Sequence, residues 1–557
     1  MKTTAQVWEN RLLWGIIVRI RKADGRLYTR ISWKRLLLGF AILCTIGWVS
    51  LFSAVYFYFK YGKADFRNIS YFETLALPFR LDDHRKRMGD HHIDRGLEAL
   101  EKGKWAQALR LLRLGLARSS TNIKGRQALV QLYHEGYLQG YFRRETVLSL
   151  LENGLPYGKA DTGYLRLYFS ILFNYEEDEK VIEITQQLLT EETVPTKTER
   201  MLALAAASAC FHRGRDDEAK AYLRDYQLWD TLDGTLVIAK MGWDRGQREE
   251  AIDLLETKRK RFFNAEPLLK LLTDLYLLKG KYPEALKYIT LRIANDPTAY
   301  KPRLALIAAY HTSGNTSASD REAKTFIRQF NKKPEAMLAL SEFAIKTDNV
   351  PLAKRLYEIA LESAIPRDSL FAVNLVQCVL NTGDHPAVIQ LVEDLANENP
   401  PWLDATYITP LFNALRYLAY RGQGETALAQ SYFTQFFQEN LKIGPLRQIA
   451  VYFRKNGAQE EALQILLRAY RKDDSREGIL TPLIQTELAL GRTQNLSEHL
   501  EQMLRLRLPS PEALKQTYTQ LTKDYFMFLP NRDSILTQMN DLILRYEEPI
   551  AGIFPDP

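Results

Sequence analysis

The sequence predicts an all-α protein, an α-solenoid of stacked helix–turn–helix repeats behind one N-terminal transmembrane helix. Three observations carry that expectation. A turn centred on Gly or Asp returns at Gly214, Gly246, Gly280, Gly314, Asp348, Gly383, Gly422, Gly457 and Gly491, in steps of 32, 34, 34, 34, 35, 39, 35 and 34 residues. A fixed period of that size marks one supersecondary unit stacked many times. Residues 36–59 form a run of 24 residues without a charge. An apolar content of 46% beside 25% charged residues is that of a folded chain, not a disordered one.

Taken in order, residues 1–35 are a basic segment, expected on the cytoplasmic side. Ile16 to Arg21 and Arg26 to Ile31 alternate about Asp24-Gly25, which is a hairpin signal. The same stretch also reads as an interfacial helix over residues 7–20, with Trp8 and Trp14 at a lipid boundary; both readings stand at this point. Residues 36–59 would span roughly 36 Å as a helix, enough for a hydrocarbon core of about 30 Å. Trp33 at one edge and Tyr56 and Tyr58 at the other are placed as interfacial anchors. Thirty-five residues precede the run, which fits a signal anchor better than a cleaved signal peptide.

Arg19, Arg21, Lys22, Arg26, Arg30, Lys34 and Arg35 lie before the span, and Lys60, Lys63 and Arg67 after it. Seven against three directs the N-terminus to the cytoplasm and the repeats to the extracytoplasmic side, the periplasm in a bacterium. Residues 1–67 hold 12 Lys and Arg against 3 Asp and Glu, leaving 63 against 64 for the rest. The basic balance belongs to the membrane-proximal segment, which reads either as a patch attracting anionic lipid headgroups or as an orientation signal only. The repeats are neutral overall, which argues against nucleic acid as a partner.

Residues 60–88 are expected to be a juxtamembrane linker, 89–509 the solenoid, 510–546 a capping helix pair and 547–557 a tail. The repeat is clearest around Gly280. Leu269, Leu272, Leu275 and Tyr276 fall at helical spacing before it, and Ala285, Ile289 and Ile293 after it. Glycine suits the turn because it reaches the left-handed conformation without steric cost. Five residues past the anchors stand Ala108, Ala219, Ala251, Ala285, Ala353, Ala427 and Ala462. A small side chain there lets the second helix approach the first closely.

The stretch Tyr276-x3-Gly280-x-Tyr282-x2-Ala285, closed by Pro297, resembles the tetratricopeptide repeat family, here as a membrane-anchored member. Ala353, Tyr357 and Ala360 fit the same pattern, as do Gly457, Ala462, Leu466 and Ala469, and Gly103, Trp105 and Ala108. The turns near Gly136 and Gly140, and from Asn174 to Glu177, fit it poorly. The resemblance covers residues 89–509 and implies stacked helix pairs that bind a protein or peptide in a concave groove. The Lys and Asn carboxylate clamp of the family's chaperone-binding members has no counterpart here.

Catalytic signatures are missing. The sequence holds no phosphate-binding Gly-rich loop, nucleophile elbow, HExxH or CxxC motif. We therefore expect no enzyme, no cofactor and no metal. Cys44 lies in the span, and Cys210 and Cys378 fall on apolar phases of first helices. Asp82, Asp83, His84, Asp90, His91, His92 and Asp94 cluster, but Arg85, Lys86 and Arg87 are interleaved, which opposes a cation site.

Phasing from the anchors places Lys240, Trp243, Lys270, Asp274, His311, Gln377, Arg416, Tyr420, Arg447 and Arg454 on first helices, where the groove is expected. The basic, aromatic second half of that set suits an acidic or C-terminal peptide. The expected function is an extracytoplasmic scaffold docking a partner protein, in envelope biogenesis or secretion. Two alternatives stand beside it. One is an export assembly touching its exported polymer, which would use Trp243 and Tyr420. The other is a cytoplasm-facing adaptor of a membrane complex.

Overall fold

The computed structural model describes residues 8–21, 26–62, 69–138, 141–190, 195–363, 368–398, 408–472 and 477–547. The chain divides into two compact units, Met1–Tyr164 and Leu165–Pro557.

The first unit opens with a three-stranded antiparallel sheet, β1 (Trp8–Leu12), β2 (Ile17–Arg21) and β3 (Leu27–Ile31), in the order β1-β2-β3. Val18 opposes Arg30, and Ile20 opposes Tyr28. The hairpin reading is therefore the one the fold adopts between β2 and β3, and the interfacial helix over 7–20 is overturned. Branched residues at Ile17, Val18 and Ile20 favour the pleat, and pairing satisfies backbone groups that a single helix would have satisfied alone. Residues 22–25, the expected turn, lie outside the described residues.

Ser32 alone separates β3 from the long helix Trp33–Tyr61. Its 29 residues are apolar enough to cross a membrane by length and composition. Most of its large side chains are exposed, Phe52 excepted. The segment expected to be a linker is partly helical. Residues Tyr71–Leu75 form one turn, and the helix Leu81–Glu101 begins eight residues before position 89. Trp48 Nε1 donates to Leu75 O at 3.1 Å, and the Ser53 and Tyr71 hydroxyls lie 2.9 Å apart. These contacts fold residues 71–75 back along the long helix.

Helix Leu81–Glu101 pairs with Trp105–Arg118 across Gly103, at φ 69°. A Cβ on Gly115 would lie 2.5 Å from Ile93, so glycine sets how closely these helices approach. Ile123–Leu138, Arg144–Glu152 and the short Leu155–Gly158 follow. This stretch departs from regular pairing, where the repeat pattern is weakest. Residues 139–140 of the expected turn there lie outside the described residues.

Among the described residues of the second unit, helix pairs follow one another in the same pattern. The turn residue takes positive φ at Gly214, Gly246, Gly280, Gly314, Asp348, Gly383, Gly424, Gly457 and Gly491. Five residues past them stand Ala219, Ala251, Ala285, Ser319, Ala353, Val388, Ala429, Ala462 and Leu496, all buried. The reason is geometric: a left-handed turn residue reverses the chain, and the side chain one turn into the next helix is the first to meet its predecessor. One anchor needs correction. The helix Ile408–Gly422 runs through Gly422, and Gly424 makes the turn at φ 83°. The packing position is therefore Ala429, while Ala427 is exposed. The sequence offered Gly-Gln-Gly, and the second glycine completes the helix by two residues.

Glu176 at φ 62° and Asp348 at φ 51° make their repeat turns without glycine. The stretch from Asn174 to Glu177 thus makes the same turn despite its poor sequence match, and Val181, five residues on, is buried. Asn315, Asn349 and Asp384 cap the second helices by accepting from the amides of Ala318, Leu352 and Ala387. The final helices, Pro511–Leu521 and Arg532–Glu547, share a core with the preceding pair through Leu496, Leu500, Leu514, Ile535 and Met539.

Candidate binding site

All ten residues expected in the groove lie on first helices, and the structure brings together only some of them. Arg447 and Arg454 sit on the helix Ile443–Lys455. They line a cavity of about 250 Å³ with Gly444, Gln448, Val451 and Pro482. Arg454 donates to Gln485 Oε1 at 2.9 Å, and burial lowers its pKa. Arg447 reaches towards Gly478, where a Cβ would lie 2.3 Å from its guanidinium. Glycine therefore gives the guanidinium its room. Arg447 has no carboxylate partner among the described residues.

The remaining candidates are engaged elsewhere. Arg416 lies over the Tyr432 ring at 5.4 Å, and Tyr420 stacks on the same ring at 5.4 Å. Both therefore lean on the second helix of their own pair. Lys270 and Asp274 pair with each other at 2.6 Å, one helical turn apart. His311 meets the edge of Phe343 at 5.7 Å. Gln377 is only 3% exposed; its phase puts it on a first helix, but neighbouring helices cover it. Lys240 is exposed, and Trp243 lies under Arg248 at 5.3 Å. Trp243 and Tyr420 lie on different first helices, each partly buried against a side chain of its own second helix.

Trp243 belongs to a second cavity, of about 620 Å³, lined also by Phe211, His212, Asp244, Arg507, Glu512 and Tyr546. It lies at a seam where the two ends of the second unit meet. Arg507 donates to both oxygens of Asp178 at 2.9 Å and to Phe173 O at 3.1 Å. His212 Nδ1 is 3.0 Å from the same carboxylate. The Leu508 amide donates to His212 O at 3.2 Å, and Arg213 donates to Leu504 O at 3.0 Å. Burial alone would push Asp178 up, yet His212 and Arg507 hold it below the ordinary carboxylate range. At Asp244 the balance is reversed: burial, Asp216 and Glu512 outweigh Lys240 and Arg245 and push it up to about 6. No repeat spacing could announce this seam, because its partners stand 329 residues apart.

The acidic and histidine cluster before position 95 does not gather a metal site. Asp90 accepts from Ser119 Oγ at 2.6 Å and Asn122 Nδ2 at 2.8 Å, which ties the first helix pair to its following turn. His92 is 2.7 Å from Arg118. Among the described residues no three His, Cys, Asp or Glu side chains are grouped to hold an ion. Cys210 and Cys378 are buried free thiols, pushed up to about 12 and about 11 by desolvation.

No protein-family model matches the sequence, and no curated protein does. Solved helical-repeat structures do resemble the chain. Yeast Tom70 is 12% identical, over 84% of this chain and 98% of its own, with a TM-score of 0.30. Cut9 in the APC/C hetero-tetramer Cut9–Hcn1 is 14% identical, over 83% and 96%, at 0.27. A tetratricopeptide repeat protein from Parabacteroides merdae is 14% identical, over 50% and 98%, at 0.28. The assignment rests on the chain's own geometry: the helix pairs, joined by left-handed turns with a buried packing residue five positions on, are tetratricopeptide-like repeats stacked in an α-solenoid.

Proposed function

We propose that the protein is a membrane-anchored interaction scaffold whose repeats dock an acidic segment of a partner protein on the extracytoplasmic side. The observation that carries this reading is the Arg447–Arg454 cavity. Two guanidiniums line one recess; Arg454 donates to the Gln485 amide, and neither forms an ion pair with a carboxylate among the described residues. A guanidinium accepts a carboxylate with two parallel hydrogen bonds, so Asp, Glu or a C-terminal carboxylate is the matching group. Gly444, Val451 and Pro482 supply apolar walls for the rest of a peptide. The charge asymmetry about residues 36–59 supports the extracytoplasmic placement. Envelope biogenesis or secretion is the setting this combination fits.

The test uses the full chain in detergent micelles against an array of peptides that vary in Asp, Glu and free C-terminus. Acidic peptides should be retained, and Arg447→Glu with Arg454→Glu should weaken them at least tenfold, since each charged hydrogen bond contributes about 1.5–3 kcal/mol. Helicity should not change. Equal retention by the double variant would move the docking surface elsewhere.

A further inference from the structure

We infer that the N-terminal sheet is a lipid-headgroup platform, seated on the anionic surface of the bilayer that the helix Trp33–Tyr61 crosses. The inference rests on the reading of that helix as a membrane span.

Position comes first. The sheet is tied to the first two turns of the helix, not merely linked to it. The Ser32 amide donates to Ile16 O at 2.8 Å, and Arg35 Nη1 donates to Gly15 O at 3.3 Å. Ile16 Cδ1 would lie 3.9 Å from a Cβ on Gly39. Residues 14–16 therefore lie beside residues 32–39, the stretch where a span helix enters the headgroup zone.

Shape and chemistry follow from that position. Trp14 is 99% exposed and takes φ 58°, an unusual conformation for so large a residue. The β1–β2 connection thus holds an indole away from the protein at the level of the helix entrance. Trp33 is 66% exposed at the same level. Indoles are favoured at this depth because the ring is apolar and its N–H finds headgroup or water partners. Around them Arg19, Arg26, Arg30, Lys34 and Arg35 are all exposed. Residues 26–64 contain no Asp or Glu. Every residue of β3 is exposed, Leu27 and Ile31 included. The sheet leans on the start of the helix through residues 14–16, while β3 is left without protein cover. An anionic, half-apolar interface matches the exposed basic side chains and covers Leu27 and Ile31 of β3.

The experiment places the full chain in nanodiscs of phosphatidylcholine alone, or with a quarter phosphatidylglycerol. Hydrogen exchange at residues 14–35 should slow when phosphatidylglycerol is added, and Arg19→Gln, Arg30→Gln and Lys34→Gln should each remove on the order of fivefold of that slowing. The emission lost in Trp14→Phe should be one that lipids brominated near the headgroup quench. Co-elution of the chain with the nanodiscs separates the two readings. A chain that does not co-elute overturns both the span and the platform. A chain that co-elutes, with exchange indifferent to phosphatidylglycerol or with Trp14 emission unquenched, overturns the platform alone.

Discussion

Replacing Arg507 with Ala should open the second unit at its seam while leaving its helices formed. Asp178 is fully buried, and Arg507 supplies two of its three polar side-chain contacts, each at 2.9 Å; His212 supplies the third. Removing one side of a buried ion pair costs about 3–5 kcal/mol, because the remaining charge is left without its counterpart. The variant also loses the bond from Arg507 to Phe173 O. The contacts that remain include Leu508 to His212 O, Arg213 to Leu504 O and Arg245 over the Tyr546 ring at 5.4 Å, each worth about 1 kcal/mol. They should not hold the ends together. Repeat arrays are stabilised by neighbours, so the loss stays at the seam. Small-angle scattering should report a larger radius of gyration for Arg507→Ala, with unchanged helical circular dichroism. Arg505→Ala, which removes an exposed pair with Glu501, is the control and should change neither. An unchanged radius of gyration for Arg507→Ala would refute the seam as the element that joins the ends.

The same site fixes a pH dependence of defined sign. Asp178 is held below its unfolded value, so its stabilisation is complete above about pH 4 and disappears as pH falls through the folded pKa. The seam should therefore open only in acid, seen as faster exchange of the Leu508 amide. Asp244, pushed up to about 6, acts oppositely: the folded state holds its proton, and stability falls as pH rises from about 4 to about 6. Asp244→Asn should raise stability at pH 7.5 by up to about 3 kcal/mol, with no gain below about pH 4; an equal gain at both pH values would contradict the assignment. Gly280→Ala should cost about 1–2 kcal/mol by thermal melting, since φ is 70° and no neighbour lies within 4 Å of the added carbon. A neutral result would show that the turn relaxes. In the folded protein Cys210 and Cys378 should resist alkylation at pH 8 and react on denaturation; rapid native labelling of either would contradict its burial.

The period was legible because each turn has to place one residue in the left-handed region and one small or branched residue against the previous helix. Both demands leave marks on the sequence. Where the left-handed residue is Glu176 the mark fades, because the backbone meets the same requirement at a steric cost that packing absorbs. At Gly422-Gln423-Gly424 two glycines offered the turn, and helix length decided between them. The choice between hairpin and helix over residues 7–20 was open because both periods fit a short apolar stretch. Of the candidate groove, Arg447 and Arg454 fall together as phasing suggested. Gln377 shows the limit of that phasing: it specifies a helix face but not how closely the next repeats cover it. The seam joining Asp178 to Arg507 left no mark, since closure depends on curvature accumulated over the whole unit.

Protease accessibility with the membrane intact and any outer wall removed is the most direct test of an anchored extracytoplasmic scaffold. Our account predicts that protease added outside digests the repeats and leaves protected a fragment that includes the long helix and the segment Tyr71–Leu75 folded back along it. Repeats that survive until the membrane is lysed would contradict it and place the docking surface in the cytoplasm.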